Sequence, residues 1–417
     1  METSDTARSV RAFLRSRRDD EVRFLAELVK VPSDNPPGDC APHAARAAAL
    51  LEAMGFVVER HVVPRDLVAA NGMVSCTNLL VRVRFGAGKG PVIALNAHGD
   101  VVAPGSGWTS DPYGAEVRNG FMYGRGAAVS KSDFATYAFA LLALRDAAAQ
   151  GAAFDGTVEL HFTYDEEVGG AIGPAWLLQQ KLSAPDYVIS AGFSWGITTA
   201  HNGCLHLKVD VSGKSGHAAE PEKGIDAVEA ATGMLADLYA LRRTYAATKS
   251  KVAGIGSPTL VVGLIEGGIN TNVVPDHVTF RLDRRIIPEE NPVDVEAMLT
   301  RQLREFAAKW TAVRVIVTRV LLAVPFVPIA GQERLVAALQ RHARDVLGEE
   351  ISTHGVPIYT DARLYTTAGI PAVLYGAGPR TLVEANGHRA DEKLKLDDLH
   401  RATEMVALAV ADLLTGN

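Results

Sequence analysis

The chain has 417 residues, 47% of them hydrophobic and 22% charged, a composition ordinary for a globular protein and long enough for more than one core. A net charge of −6 argues against a nucleic-acid partner, and no apolar run approaches the ~18 residues of a membrane span, so neither nucleic acid nor membrane is expected. Cys40, Cys76 and Cys204 are too few and too scattered for a disulfide framework or for paired zinc-site spacing. With a charged N-terminal stretch that lacks the apolar segment of a secretory signal, they imply a cytoplasmic location.

In chain order, Ser4 or Asp5 can cap a first helix reaching about Val31, and Pro32 to Gly38 breaks it. An Ala- and Leu-rich helix at 42–54 stops at Gly55. Strands are expected at 56–63 and 78–84, then at 92–96, where a short apolar run reads as a strand buried on both faces. That strand ends in Ala97-His98-Gly99-Asp100, the position at which open α/β sheets place their ligands. His98 and Asp100, two apart, share a side in an extended segment, which suits an imidazole metal ligand with a carboxylate fixing its other nitrogen. An amphipathic helix is expected at 134–146, with Asp133 as its N-cap. A buried strand at 157–163 ends in Asp165-Glu166-Glu167-Val168-Gly169, where neighbouring carboxylates on extended chain face different ways. A helix and a strand at 187–191 follow, and the alternation argues for a layered α/β domain. The pattern then changes. Strand 205–211, helix 224–246, strands 259–265 and 278–282, helix 292–309 and strand 313–320 give the β-α-β-β-α-β order of a split, ferredoxin-like unit. Helix 332–347 and a buried strand at 372–375 resume the first pattern.

His98-Gly99-Asp100, Trp108, Asp111-Pro112-Tyr113, Gly120, Tyr123 and Gly124-Arg125-Gly126-Ala127, in that order, resemble the aminoacylase, succinyl-diaminopimelate desuccinylase and carboxypeptidase G family of two-zinc peptidases. The resemblance runs from about Pro32 to Leu399. It implies a three-layer α/β catalytic domain made of residues 1–204 and 321–417, with a ferredoxin-like dimerisation domain inserted at 205–320, and hence a homodimer or higher homo-oligomer. It makes Glu166 the general base, Glu167 a metal ligand, and His388, in Asn386-Gly387-His388-Arg389-Ala390-Asp391-Glu392, the last metal-binding histidine. Asp100 joins the catalytic set with His217, which in the family reaches the partner's active site and donates to the tetrahedral intermediate. Asn272 lines the same cleft, Arg363 takes the place of the residue that binds a substrate carboxylate, and Gly378 lets substrate approach the backbone.

The chain departs from the family pattern at two positions. Gly-Arg-Gly-Ala-x-Asp-x-Lys should carry a metal-bridging Asp, and this chain has Val129 there, with Lys131 in its usual place. The carboxylate that should end the strand after Pro185-Asp186 is Gly192. Two zinc ions close together need a bridging anion to offset their repulsion. The surviving ligands are His98, Glu167 and His388, which suit one labile divalent ion, zinc or manganese, with an open position. Asp133, one helical turn beyond Val129, is a possible stand-in. The expected function is therefore metal-dependent hydrolysis of a C–N bond, amide or amine, in a small carboxylate-bearing substrate. One alternative is hydrolytic deamination of an aminobenzoate such as 5-nitroanthranilate. Another is a metal-free, non-catalytic binding relative.

Overall fold

The computed structural model describes residues 5–381 and 383–416, so Ser4 as a helix cap lies outside the described residues. The chain divides into two compact units: 1–199 with 328–354 and 360–417, and 200–327 with 355–359. The expected insertion at 205–320 falls within the second unit. That unit starts earlier because its first full strand begins at Gly203.

The first unit is built on an eight-stranded sheet in the order Val58–Val62, Thr77–Phe85, Gly156–Thr163, Val92–His98, Tyr187–Ser190, Ala372–Leu374, Ile197–His201, Thr353–Val356. Val92–His98 is buried along nearly its whole length and runs parallel to both neighbours, with His98 opposite Thr163 and Asn96 opposite Ser190. Three strand C-termini are thereby aligned at one edge, so the loops after His98, Thr163 and Ser190 emerge together.

Helix Lys131–Ala149 packs against Asp5–Ser16, Arg18–Val29 and Leu396–Thr415. It is not the amphipathic helix expected at 134–146. Residues 131–144 are all buried, because helices cover it where solvent was expected. Phe134 stacks on Phe162 at 3.8 Å between ring centroids, tying it to the sheet. The expected first helix is two, Asp5–Ser16 and Arg18–Val29, interrupted at Arg17 with φ −113° and ψ 9°. Neither proline nor glycine marks the break. Ser16 donates to the Phe13 carbonyl and both halves pack on Lys131–Ala149, so the interruption follows from tertiary packing.

The second unit is a four-stranded antiparallel sheet in the order Thr259–Gly267, His277–Ile286, Gly203–Ser212, Arg314–Ala323, with helices Ala227–Thr244 and Pro292–Ala307. Leu205, Leu207, Val209 and Val211 alternate into a core shared with Val278, Phe280 and Leu282, while His206, Lys208 and Asp210 take the opposite face. Both helices carry side-chain caps. Asp226 accepts from Val228 N and Glu229 N, and Asn291 from Val293 N and Asp294 N, each worth ~1 kcal/mol. The architecture is the α/β fold with a ferredoxin-like second unit that the sequence implies.

Candidate active site

Asp100 organises the aligned strand ends. It is wholly buried, and its carboxylate accepts from Glu166 N (3.3 Å), Glu167 N (3.1 Å) and Asn35 Nδ2 (3.0 Å). The Asp100 main-chain carbonyl lies 3.0 Å from His98 Nδ1, closer than its carboxylate at 3.4 Å. One residue therefore fixes the histidine ring and the backbone of both glutamates. Ser130 Oγ donates to the His98 carbonyl at 3.1 Å and lies 3.3 Å from His98 N, which pins the glycine-rich loop to the strand.

Glu166 and Glu167 do not face different ways, as extended chain would make them. They lie in a single 3-10 turn, Glu166–Val168, closed by Gly169 at φ 112°. The tight turn sends both side chains toward the same place, so a ring nitrogen of His98 and one oxygen from each glutamate lie within 4.8 Å of one another. His98 Nε2 is 3.9 Å from Glu166 Oε2, and His388 Nε2 is 3.7 Å from Glu167 Oε1. His98, Glu167 and His388 do not close into one such three-way cluster. Glu167 is the link between the two histidines.

The cluster is short of positive charge. Burial pushes Glu166 well above the ordinary carboxylate range, and Glu167, Asp361 and Asp100 add to it against the pull of His98. Burial likewise raises Glu167 to about 7. His98 is drawn down by burial, but Glu166, Asp100 and Glu167 outweigh this and hold it well above its usual value. His388 is lowered to about 4 by burial, Arg125 and His98, which leaves a neutral imidazole able to ligate. Buried carboxylates facing neutral or shared imidazoles are the donor set that a divalent cation would neutralise.

The two substituted positions lie in the same loops. Val129 is partly buried against the core, and its N–H donates to Glu392 Oε1 at 3.2 Å. Gly192 N donates to Asp133 Oδ2 at 3.2 Å, and Ala377 N to Asp133 Oδ1 at 2.7 Å. Asp133 is thus no N-cap. The helix begins after Ser130 with no side-chain cap, and the Asp133 carboxylate joins the loops after Ser190 and Leu374. Burial raises it to about 7. A side chain at Gly192 has no room, since a Cβ there would lie 2.7 Å from Tyr375 N and 2.8 Å from the Leu374 carbonyl carbon.

Arg363 sits in helix Ala362–Thr367, is 5% exposed, and donates through Nη2 to the Gly169 carbonyl at 2.5 Å. Its guanidinium braces the turn that carries Glu166 and Glu167. Gly378 is buried too. A Cβ on it would lie 2.6 Å from the Gly192 carbonyl, so its smallness serves loop packing. In the second unit His217 and Asn272 are neighbours: His217 pairs with Val273, and Ala218 N donates to the Asn272 carbonyl at 3.0 Å. His217 is exposed, and its Nδ1 accepts from Ala219 N at 3.0 Å, which leaves the ring proton on Nε2.

Three supporting residues had no role assigned from sequence. Glu392 is fully buried and accepts from Arg125 Nη1 at 2.5 Å and from the N–H groups of Gly126, Ala128 and Val129, so it shapes the glycine-rich loop. Lys131 Nζ donates to the Val31 and Leu28 carbonyls at 2.9 and 3.4 Å, satisfying the C-terminal end of a helix, and burial lowers it to about 7. Asp361, raised to about 6 by burial, adds a further carboxylate beside Glu166. The buried Arg125 signals that some carboxylate must meet it. Nothing local says that it comes from 267 residues away.

The chain aligns with the succinyl-diaminopimelate desuccinylase of Sphingopyxis alaskensis at 29% identity over 399 residues, covering 93% of this chain and 97% of that protein. Among solved structures it matches the dipeptidase Dug1p of Saccharomyces cerevisiae with a TM-score of 0.82 at 13% identity, covering 99% of both chains. It also matches a dinuclear metal-binding peptidase of Bacillus subtilis with a TM-score of 0.64 at 16% identity, covering 96% and 99%. Residues 94–412, most of the chain, match the profile of peptidase family M20/M25/M40, and the chain belongs to that family.

Proposed function

We propose that the chain hydrolyses a C–N bond in a small carboxylate-bearing substrate, with Glu166 as general base and a single labile divalent ion, zinc or manganese, held by His98 and Glu167 together with His388, whose ring, 3.7 Å from Glu167, turns inward to join them when the ion binds. Family membership makes the chain a metallohydrolase acting on amide bonds. The observation that carries the finer reading is the convergence of His98, Glu166 and Glu167 at the end of the parallel strands, with His388 3.7 Å from Glu167. A bound divalent ion supplies Lewis acidity to the scissile carbonyl. Glu166 takes a proton from the attacking water and returns it to the leaving nitrogen, while Asp100 holds His98 and the Glu166–Glu167 backbone in register. One ion is favoured over two because Val129 and Gly192 offer no side-chain donor. The exposed His217, protonated on Nε2, is suited to donate to the tetrahedral intermediate in the partner subunit of a homodimer, with Asn272 beside it. Relatives named as desuccinylase and dipeptidase support a small amide substrate with a carboxylate. Cys40, Cys76 and Cys204 are buried and form no disulfide, which supports a cytoplasmic setting, and among the described residues no helix is long and apolar enough to cross a membrane.

The test joins elemental analysis of protein purified without chelator to activity on a panel of N-acyl amino acids, dipeptides and aminobenzoates. Glu166→Gln keeps the shape and removes the base. Turnover of the best amide is expected to fall at least ~100-fold with metal content unchanged. Full turnover by Glu166→Gln defeats the assignment of the base, and release of ammonia from an aminobenzoate with every amide inert makes the enzyme a deaminase.

A further inference from the structure

A second cluster of metal-type donors lies in the other unit, on the outer face of its sheet. Cys204 and His206 are two apart on strand Gly203–Ser212, so they share the face opposite Leu205 and Leu207. His206 pairs directly across with Asp283, and Cys204 with Arg285, on strand His277–Ile286. The result is Cys204 Sγ 3.1 Å from His206 Nε2, His206 Nε2 2.9 Å from Asp283 Oδ2, and Sγ 3.4 Å from the same oxygen. Spacing along the sequence hides this group, because its carboxylate lies 77 residues from the histidine.

The geometry discriminates between two readings. In a nucleophilic cysteine site the acid would meet one ring nitrogen and the thiol the other. Here thiol and carboxylate both meet Nε2, so three donor atoms converge on one point, as ligands around an ion do. Tetrahedral zinc with Zn–S near ~2.3 Å and Zn–N and Zn–O near ~2.1 Å would hold its ligands ~3.4–3.6 Å apart. The observed separations fall short of that by up to about half an ångström, within the reach of side-chain rotations. The carboxylate is already oriented: Arg285 Nε donates to Asp283 Oδ1 at 3.0 Å and leaves Oδ2 for the cluster. Cys204 is fully buried, whereas His206 and Asp283 are partly exposed, at 35% and 27% of their side chains, so an ion reaches the thiol from the side of the histidine and the carboxylate, where water completes the shell. A thiolate, an imidazole and a carboxylate suit zinc or another borderline-soft dication, not magnesium or calcium.

We propose that Cys204, His206 and Asp283 form a thiolate-containing divalent-metal site, separate from the His98–Glu166–Glu167 cluster. It joins two adjacent strands of the second unit, and the positive charge of Arg285 beside it sets a moderate affinity. The Cys204 proton leaves to solvent when the ion binds.

The test is titration of chelator-treated, full-length protein with Co²⁺ under anaerobic conditions, reading the near-ultraviolet thiolate-to-cobalt charge-transfer absorption. The other cluster has no thiolate, so this signal belongs to the proposed site alone. Expected is a band that saturates at one equivalent in His98→Ala and by two equivalents in wild type, where the other cluster also takes cobalt, and that disappears in Cys204→Ser. His206→Ala, at a partly exposed ring, is the second variant should Cys204→Ser fold poorly, and it is expected to lose most of the band while its circular dichroism stays unchanged. Absence of the band from wild type, its survival in Cys204→Ser, or an undiminished band in folded His206→Ala overturns the proposal.

Discussion

Gly192→Asp is the obvious way to return the carboxylate that the family pattern places at this position, and the structure says that it will fail. A Cβ at residue 192 would lie 2.7 Å from Tyr375 N, 2.8 Å from the Leu374 carbonyl carbon and 2.9 Å from Leu374 Cβ. The first two are main-chain atoms of an adjoining strand, whose Tyr375 N donates to the Ser190 carbonyl at 3.0 Å, so they cannot swing aside as a side-chain tip could. Overpacking of this kind costs ~1–3 kcal/mol. Displacing residue 192 also breaks its N–H bond to the buried Asp133, a further ~1–3 kcal/mol. Together the loss is ~2–6 kcal/mol, which lowers Tm by about 5–20 °C in a domain of this size. The assay is a thermal melt by circular dichroism, alongside elemental analysis. Val129→Asp, at a partly buried position in the glycine-rich loop, is the control, and it is expected to raise metal content above wild type while Gly192→Asp does not. A Gly192→Asp protein that melts within about 2 °C of wild type and carries one more ion per chain than wild type would refute the reasoning, because the strand would then have yielded to the new side chain.

Wild-type protein is expected to hold at most one ion at the His98–Glu167–His388 site, removed by chelator and restored by added zinc or manganese; two ions surviving dialysis against chelator in Cys204→Ser would show that unrecognised ligands replace Val129 and Gly192. Arg125→Met leaves Glu392 as an uncompensated buried carboxylate, from a pair only 1% and 0% exposed, and should cost ~3–5 kcal/mol in urea unfolding; a loss under ~1 kcal/mol would mean that the loop N–H groups alone satisfy Glu392. Burial by itself would raise Glu159, but His161, Ser183 and Arg82 hold it at about 2, against an ordinary 4.5. A folded value below the unfolded one stabilises the protein above pH 4.5, and that contribution, ~3 kcal/mol, disappears as the pH falls toward 2. The stability gap between wild type and Glu159→Gln should therefore shrink between pH 6 and pH 2.5, and a gap that stays constant with pH would show that Glu159 does not titrate in this network.

The sequence by itself determined most of the elements and which strand ends carry the candidate site residues. The apolar run at 92–96 and the alternation of Val158, Leu160 and Phe162 at 157–163 read as buried strands. Their ends carry His98, Asp100, Glu166 and Glu167 because parallel strands align their C-termini. Helix Gln332–Leu347 kept the bounds its periodicity gives, since one of its faces meets solvent. Periodicity failed where tertiary packing covered every face, as at Lys131–Ala149, and where a helix broke without proline or glycine, as at Arg17. The tertiary structure alone decided which distant group each buried polar atom meets. Glu392 holds Arg125, Asp133 holds Gly192 and Ala377, Lys131 closes a helix end, and Asp283 joins Cys204 and His206. A buried charge must be paired, and the residue shows as much in the sequence. Its partner is fixed by which segments the fold brings together, and that is set by burial of apolar surface over the whole unit, not by anything near the charge in the chain.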